Sequence, residues 1–345
     1  MNRAHPIDRV ARLLALWLAV WALTGCTNGE SALAVHSFSG TTMGTTYSVK
    51  VIAPSTMDER VTRARIQDVL DRVNSRMSTY RKDSELSGFN QAPPQQWFSV
   101  SAETEFVVSL GLEISQLTQG AFDMTVGPLV NLWGFGPNGD ISKAPSEQQI
   151  NEVLPRIGYQ QISVQADPPA LLKRGDQYLD LSAIAKGYAV DAVAEMLQVD
   201  YGAYLVEVGG ELRAHGLKPD GSPWRIAVES PLAGARDVQE VIGVNETAIA
   251  TSGDYRNYFE QDGIRYSHTI DPSTGKPITH RLASVTVLDP SCARADAMAT
   301  AFMVLGDERG LPLAEKMNLP VLFIVKDDDG FKEYATEAFK PFLLQ

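Results

Sequence analysis

Asp296 and Thr300 lie four residues apart in a stretch, Ala293 to Leu305, that is expected to be helical. That spacing is close to one helical turn, so both side-chain oxygens project from the same face. A carboxylate and a neutral hydroxyl suit a hard cation such as Mg2+, which keeps its other positions for water or substrate phosphates. A solvated helix face carries the same kind of pair, and taken alone the pair reads as such a face rather than as a metal site. A second segment, Asp180-Leu-Ser-Ala-Ile-Ala-Lys186-Gly187, is read as an acidic strand end feeding a small-residue turn and a helix. Such strand ends present backbone groups and a side chain to a ligand, although a plain connection is spelled the same way. A third, Tyr266 to Pro277, sets His268 and Asp271 at the end of a hairpin strand ahead of a stiff Pro/Gly loop. A histidine there can titrate near neutrality as a general base, or simply pack.

Other chemistries find no support. Gly134-Phe-Gly136-Pro-Asn-Gly139 spells a dinucleotide fingerprint, but no helix opens on its third glycine. Without that helix no row of N–H groups meets a pyrophosphate. The five histidines and two cysteines show no zinc-ligand spacing, so any metal would be held by oxygen. A net charge of −12 gives no general attraction for a phosphate backbone, which argues against nucleic acid as a partner.

The elements that must position these residues are mixed. Tyr47 to Ile52 alternates as a strand, Asp58 to Tyr80 carries an amphipathic helical pattern, and Ser101 caps a second helix running to Gly120. A polar loop through Pro93 and Pro94 is expected between them. Ser146 and Gln149 form a capping box. Tyr178 to Leu181 reads as a strand and Tyr188 to Leu197 as a helix. Strands are expected at Tyr204–Val208, Arg225–Glu229, Ala248–Ala250, Tyr255–Phe259 and Ser284–Leu288. Asp262-Gly263 signals a hairpin turn, and Val321–Val325 with Phe331–Tyr334 a closing hairpin. Without regular βαβ alternation the class is α+β. The composition, 44% hydrophobic and 21% charged over 345 residues, is that of a globular body with ample core material.

The first segment reads as an address. Arg3, Arg9 and Arg12 precede an apolar run from Leu13 to Leu23, then Leu23-Thr24-Gly25-Cys26. A basic start, a short apolar run and small residues describe a secretory signal; a spanning helix needs about 20 apolar residues. Leu-Thr-Gly-Cys also resembles a lipobox. The expected organisation is a lipoprotein-type signal over 1–25, a tether over 26–36 lipidated at Cys26, and one functional body over 37–345. Acylated Cys26 would anchor that body at the periplasmic side of a bacterial inner membrane.

Taken in order, several fragments carry a family likeness. Gly40-Thr-Thr-Met-Gly-Thr-Thr-Tyr47, Ala121-Phe-Asp123, Leu132-Trp-Gly-Phe-Gly136, Asp180 to Asp191, Val208-Gly-Gly-Glu211, Thr251 to Arg256, Ser267-His-Thr-Ile-Asp-Pro272 and Ala295-Asp-Ala297 together resemble the ApbE flavin transferases. The resemblance implies an α+β body of mixed sheets with flanking helices. It implies an enzyme that cleaves FAD, its substrate, attaches FMN through a phosphoester to a threonine of an acceptor flavoprotein, and releases AMP with Mg2+. Acceptors would be membrane redox complex subunits. The match also implies that Asp296, Thr300 and the carbonyl of Ala183 hold the metal. Met43, Tyr80, Ala121, Phe122, Asp123, Asp180, Lys186 and Ile270 would line the FAD site. Lys186 and Ala299 stand where some members carry acidic residues. His268 is the candidate for activating the acceptor hydroxyl, with Asp271 its rival or its support. An FAD pyrophosphatase and a flavin-binding lipoprotein are the alternatives.

Overall fold

The computed structural model describes residues 32–344, apart from 138–143, 232–237, 255–257, 262 and 329. The expected signal segment and Cys26 lie outside the described residues, as do Tyr255, Arg256 and the hairpin residue Asp262. The chain opens with β1 (Leu33–Thr42) and β2 (Thr45–Pro54), followed by α1 (Glu59–Met77), α2 (Glu85–Gln91), β3 (Phe98–Ser99) and α3 (Ala102–Leu117). Short helices α4 (Gly127–Leu132) and α5 (Glu147–Val153) come next, then β4 (Ile162–Ala166), β5 (Pro169–Lys173) and α6 (Ala185–Gln198). Strands follow: β6 (Tyr204–Val208), β7 (Glu211–His215), β8 (Trp224–Glu229), β9 (Val238–Val244), β10 (Glu246–Gly253), β11 (Tyr258–Gln261) and β12 (Ile264–Ser267). After β13 (Ile270–Asp271), β14 (Lys276–Pro277) and β15 (Leu282–Asp289) runs α7 (Cys292–Lys316), and β16 (Val321–Asp327) and β17 (Gly330–Ala335) close the fold.

One antiparallel sheet of eight strands, ordered β1-β2-β6-β7-β10-β15-β16-β17, is the frame. Register decides which side chains face which layer, because alternate residues point to opposite faces. Val49 stands opposite Val206, and Tyr47 opposite Val208. These join Ile66, Leu70, Val107, Val190, Val193 and Phe302 in a core beneath α1, α3, α6 and α7. On the other face Ile249 stands opposite both Leu212 and Leu288. They pack with Trp224, Val228 and Ile242 of the β8–β9 ribbon and with Phe339. With both faces covered, β15 is buried from Leu282 to Leu288, its polar Ser284 and Thr286 included. A small third cluster of Leu129, Trp133, Ile150 and Ile270 joins α4 and α5 to the β13–β14 turn. Sheet and helices are thus mixed as α+β, as expected.

Local signals held where their causes are local. Asp58 and Ser101 cap α1 and α3, and Ser146 with Gln149 forms the capping box of α5. Three expectations are corrected. The polar loop after Tyr80 contains α2, capped by Ser84. Helix α6 begins at Ala185 rather than at Tyr188. Tyr178–Leu181 is not a strand of any sheet. Its backbone is satisfied by the Asn90 side chain, which accepts from the Leu179 amide at 2.8 Å and donates to the Leu179 carbonyl at 2.9 Å. The Asp180 amide donates to the Met124 carbonyl at 2.8 Å.

Helix α7 is broken at Gly306, whose φ of 73° is in the left-handed region. A Cβ there would lie 2.9 Å from Cδ2 of His280, so space as well as conformation selects glycine. Among the described residues no helix is long and apolar enough to cross a membrane.

Candidate active site

The site is built where the N-terminal ends of α6 and α7 meet. Asp191 on α6 accepts from the Cys292 amide at 3.0 Å, the Ala293 amide at 3.0 Å and Ser291 Oγ at 2.8 Å. It therefore caps α7 from outside, while also pairing with Arg213 Nη1 at 2.8 Å. Gly187 allows the close approach: a Cβ at that position would lie 2.3 Å from the Cys292 carbonyl oxygen. With no side chain between the helices, the Gly187 amide donates to Asp296 Oδ2 at 3.0 Å. Asp296 is thus fixed at the positive end of α6, which suits a carboxylate. One turn further along, Thr300 Oγ1 lies 3.5 Å from Ser252 Oγ on β10. The expected pairing of Asp296 and Thr300 on one helix is present, and Ala183 belongs to the turn immediately before α6.

Lys186 enters the same place from the first turn of α6. Its Nζ lies 2.7 Å from Glu211 Oε1 and 3.7 Å from Asp296 Oδ1. The lysine side chain is 28% exposed, whereas those of Glu211 and Asp296 are 5% and 4%. Burial works against the lysine charge, but the carboxylates of Asp296 and Glu211 outweigh it and hold its pKa above the ordinary value. Burial pushes the Glu211 carboxyl upward, with Lys186 opposing. Glu211 Oε2 is buried and has no hydrogen-bond partner. Glu211 had no assigned role at the sequence level, where it appeared only as the last letter of Val208-Gly-Gly-Glu211. The turn explains its placement. Gly209 has a φ of 64°, its amide donates to the Thr46 carbonyl at 3.0 Å, and a Cβ there would meet the Thr45 side chain at 2.8 Å.

A hard cation fits this donor set. Asp296 and Glu211 meet at Lys186, Thr300 follows one turn along α7, and all three offer oxygen, so soft ligands are not needed. Among the described residues no three His, Cys, Asp or Glu side chains could hold an ion by themselves. The remaining positions would fall to the threonine, backbone carbonyls, water and a ligand's phosphates, as Mg2+ prefers.

Adjoining this cluster in sequence is the Asp180 turn. Asp180 Oδ1 accepts from Ser182 N at 2.9 Å and Ser182 Oγ at 2.6 Å, so the carboxylate is held in place. Tyr80 is 68% exposed, and partial burial followed by the Asp180 charge pushes its hydroxyl pKa upward. An exposed ring beside a fixed carboxylate can take a flat heteroaromatic system. Across the β1–β2 turn, Met43 has a φ of 50°, and a cavity of about 440 Å3 is lined by Thr41 to Thr46.

The Ala121–Asp123 turn behaves differently. Phe122 is packed into the main core. Asp123 Oδ1 accepts from Thr125 N at 2.8 Å and Thr125 Oγ1 at 2.7 Å, and its Oδ2 from Tyr159 N at 2.9 Å. Burial nevertheless raises the Asp123 pKa, with Thr125 and Tyr159 opposing.

Ile270 belongs to the third cluster, and His268 and Asp271 flank it on the same segment. The His268 ring meets Phe135 edge-on at 6.3 Å between centroids. Ile270 is buried opposite Pro277, and Asp271 Oδ1 accepts from Ser273 N at 2.8 Å and Ser273 Oγ at 2.7 Å. Trp133 Nε1 donates to the Gly275 carbonyl at 2.8 Å, pinning this loop to the end of α4. A cavity of about 420 Å3 lined by Pro128, Asn131, Leu132, Val153, Arg156 and Tyr178 lies along this region.

The ApbE family pattern matches residues 43–323. An FAD:protein FMN transferase of Vibrio cholerae is 51% identical over 338 residues, spanning 95% of this chain and 98% of the relative. The solved structure of the flavin transferase ApbE from Vibrio cholerae covers 90% of this chain and 100% of its own, with a TM-score of 0.84 at 50% identity. The apo flavinyl transferase ApbE of Pseudomonas stutzeri gives a TM-score of 0.83 at 42% identity, over 90% of this chain and 97% of that one. The family pattern, the sequence relative and the two solved structures agree over nearly the whole described body, and this chain belongs to the ApbE family.

Proposed function

We propose that this chain transfers FMN from FAD to a threonine hydroxyl of an acceptor flavoprotein. A phosphoester forms between the threonine oxygen and the FMN phosphorus, the pyrophosphate P–O bond breaks, and AMP leaves with the bridging oxygen. The observation that carries the reading is the pair of buried carboxylates, Asp296 and Glu211, that meet Lys186 at the head of α6, with Thr300 one turn beyond Asp296 on α7. Phosphoryl transfer asks mainly for positioning and neutralised charge, and such a cluster is suited to both. Mg2+ held by Asp296, Thr300 and the Ala183 carbonyl would supply Lewis acidity at the pyrophosphate. Lys186, held beside Glu211 and Asp296, would offer positive charge and N–H donors to a diphosphate bound there. Tyr80, Met43, Asp180, Ile270 and the Ala121–Asp123 backbone would line the flavin and adenosine sites. His268 takes the proton of the acceptor hydroxyl, and Asp271 orders the loop that carries it.

Residues 1–25 act in this reading as a lipoprotein signal and Cys26 as the lipidated anchor of a periplasmic enzyme at the inner membrane. The basic start and the Leu-Thr-Gly-Cys spelling support it. A Cys26→Ala chain should take up no fatty-acid label, and persistent labelling would refute the anchor. The transfer itself is tested by measuring AMP with FAD and Mg2+ in the presence and absence of an acceptor. AMP that requires the acceptor supports transfer. Equal AMP in both, accompanied by free FMN, would make the chain a pyrophosphatase.

A further inference from the structure

Two buried carboxylates and one ammonium share a single small space, and their spacing has a consequence for how many metal ions it can take. Two-metal sites place their ions about 3.5–4 Å apart, bridged by shared oxygens. The Lys186 ammonium lies 3.7 Å from one oxygen of Asp296 and 2.7 Å from one of Glu211. Lys186 sits in the first turn of α6, and its stem runs beside Gly209, where a Cβ would stand only 3.3 Å from Lys186 Cδ.

We propose that the Lys186 ammonium is a built-in cation that fills the position a second divalent ion would take beside Glu211 and Asp296, so the chain binds a single metal ion. The inference rests on the proposed metal site. Two cations a few ångströms apart in a site of low dielectric repel strongly, and the ammonium, being covalently attached, cannot be displaced by mass action. The two carboxylates and the ammonium leave one net negative charge, enough for one divalent ion completed by neutral and phosphate oxygens. One positive charge and its N–H donors therefore stay beside Glu211 and Asp296 even when the metal has left.

The test counts Mn2+, as a stand-in for Mg2+, bound by the purified chain and its variants at equilibrium. The parent should bind about one ion, and Lys186→Met about two, because two buried carboxylates then lack their cation. The double variant Lys186→Met with Glu211→Gln should return to about one. Glu211→Gln alone leaves the ammonium facing only Asp296 and should weaken the parent's ion at least about tenfold. That last variant carries the test if Lys186→Met fails to fold. A folded Lys186→Met that binds one ion with the parent's affinity would overturn the inference, as would unchanged affinity in Glu211→Gln. A parent that binds no Mn2+ would instead overturn the metal site itself.

Discussion

The Gly187 amide donates to Asp296 Oδ2 at 3.0 Å, so the first turn of α6 holds in place a carboxylate that belongs to α7. The contact exists because nothing but hydrogen stands on Gly187 Cα, and because Asp191 ties the start of α7 to α6. Site geometry and helix packing are therefore one feature, and damage to either should be visible in both.

Gly187→Ala tests that link. A methyl group 2.3 Å from the Cys292 carbonyl oxygen cannot be accommodated without moving backbone. The variant should lose about 1–3 kcal/mol of stability in chemical denaturation and bind Mg2+ more weakly than the parent. Parent-like values for both would show that the helices do not need their close approach.

Asp296→Ala removes the one carboxylate that α7 contributes to the cluster. Transfer at limiting Mg2+ should fall at least about tenfold, with partial recovery as the ion is raised. An Mg2+ titration of the rate checks this, and identical metal dependence in variant and parent would remove Asp296 from the metal site.

His268→Ala should keep FAD binding while slowing flavin transfer about 100-fold or more, the usual size of a lost general base. Flavin fluorescence reports the first and acceptor labelling the second. Unchanged transfer would leave Asp271 as the remaining candidate on that segment.

His280 offers a pH prediction. Burial lowers its pKa below the ordinary 6.5, opposed by nearby backbone carbonyls of α7 and by Asp307 and Asp254. The unfolded chain therefore takes up a proton that the folded chain resists, and stability is lost as pH falls through the unfolded value. Unfolding followed from about pH 7 to about pH 5 should show a smaller acid loss in His280→Leu than in the parent. Equal losses would mean that His280 does not contribute to acid sensitivity.

What could be read from the sequence follows the range of the forces involved. Asp58, Ser101 and Ser146 cap helices through neighbours two or three residues away, and those helix starts were legible. The Asp296–Thr300 pair was legible for the same reason, being one turn of one helix. Glu211 was not, because its partner Lys186 comes from another element and meets it only through the Gly209–Gly210 turn. Asp191 reaches Ser291, 100 residues away in sequence, and nothing local to either residue announces that contact. Tyr178–Leu181 misled because an alternating apolar spelling describes any extended segment; here Asn90 and Met124 take the hydrogen bonds a neighbouring strand would have made.

The most direct measurement is the intact mass of an acceptor protein after incubation with this chain, FAD and Mg2+. The proposed reaction predicts that the acceptor gains the mass of one phosphoester-linked FMN, that the gain vanishes when the target threonine is replaced by valine, and that AMP appears in equal amount. An acceptor of unchanged mass beside free FMN and AMP would contradict transfer and leave hydrolysis in its place.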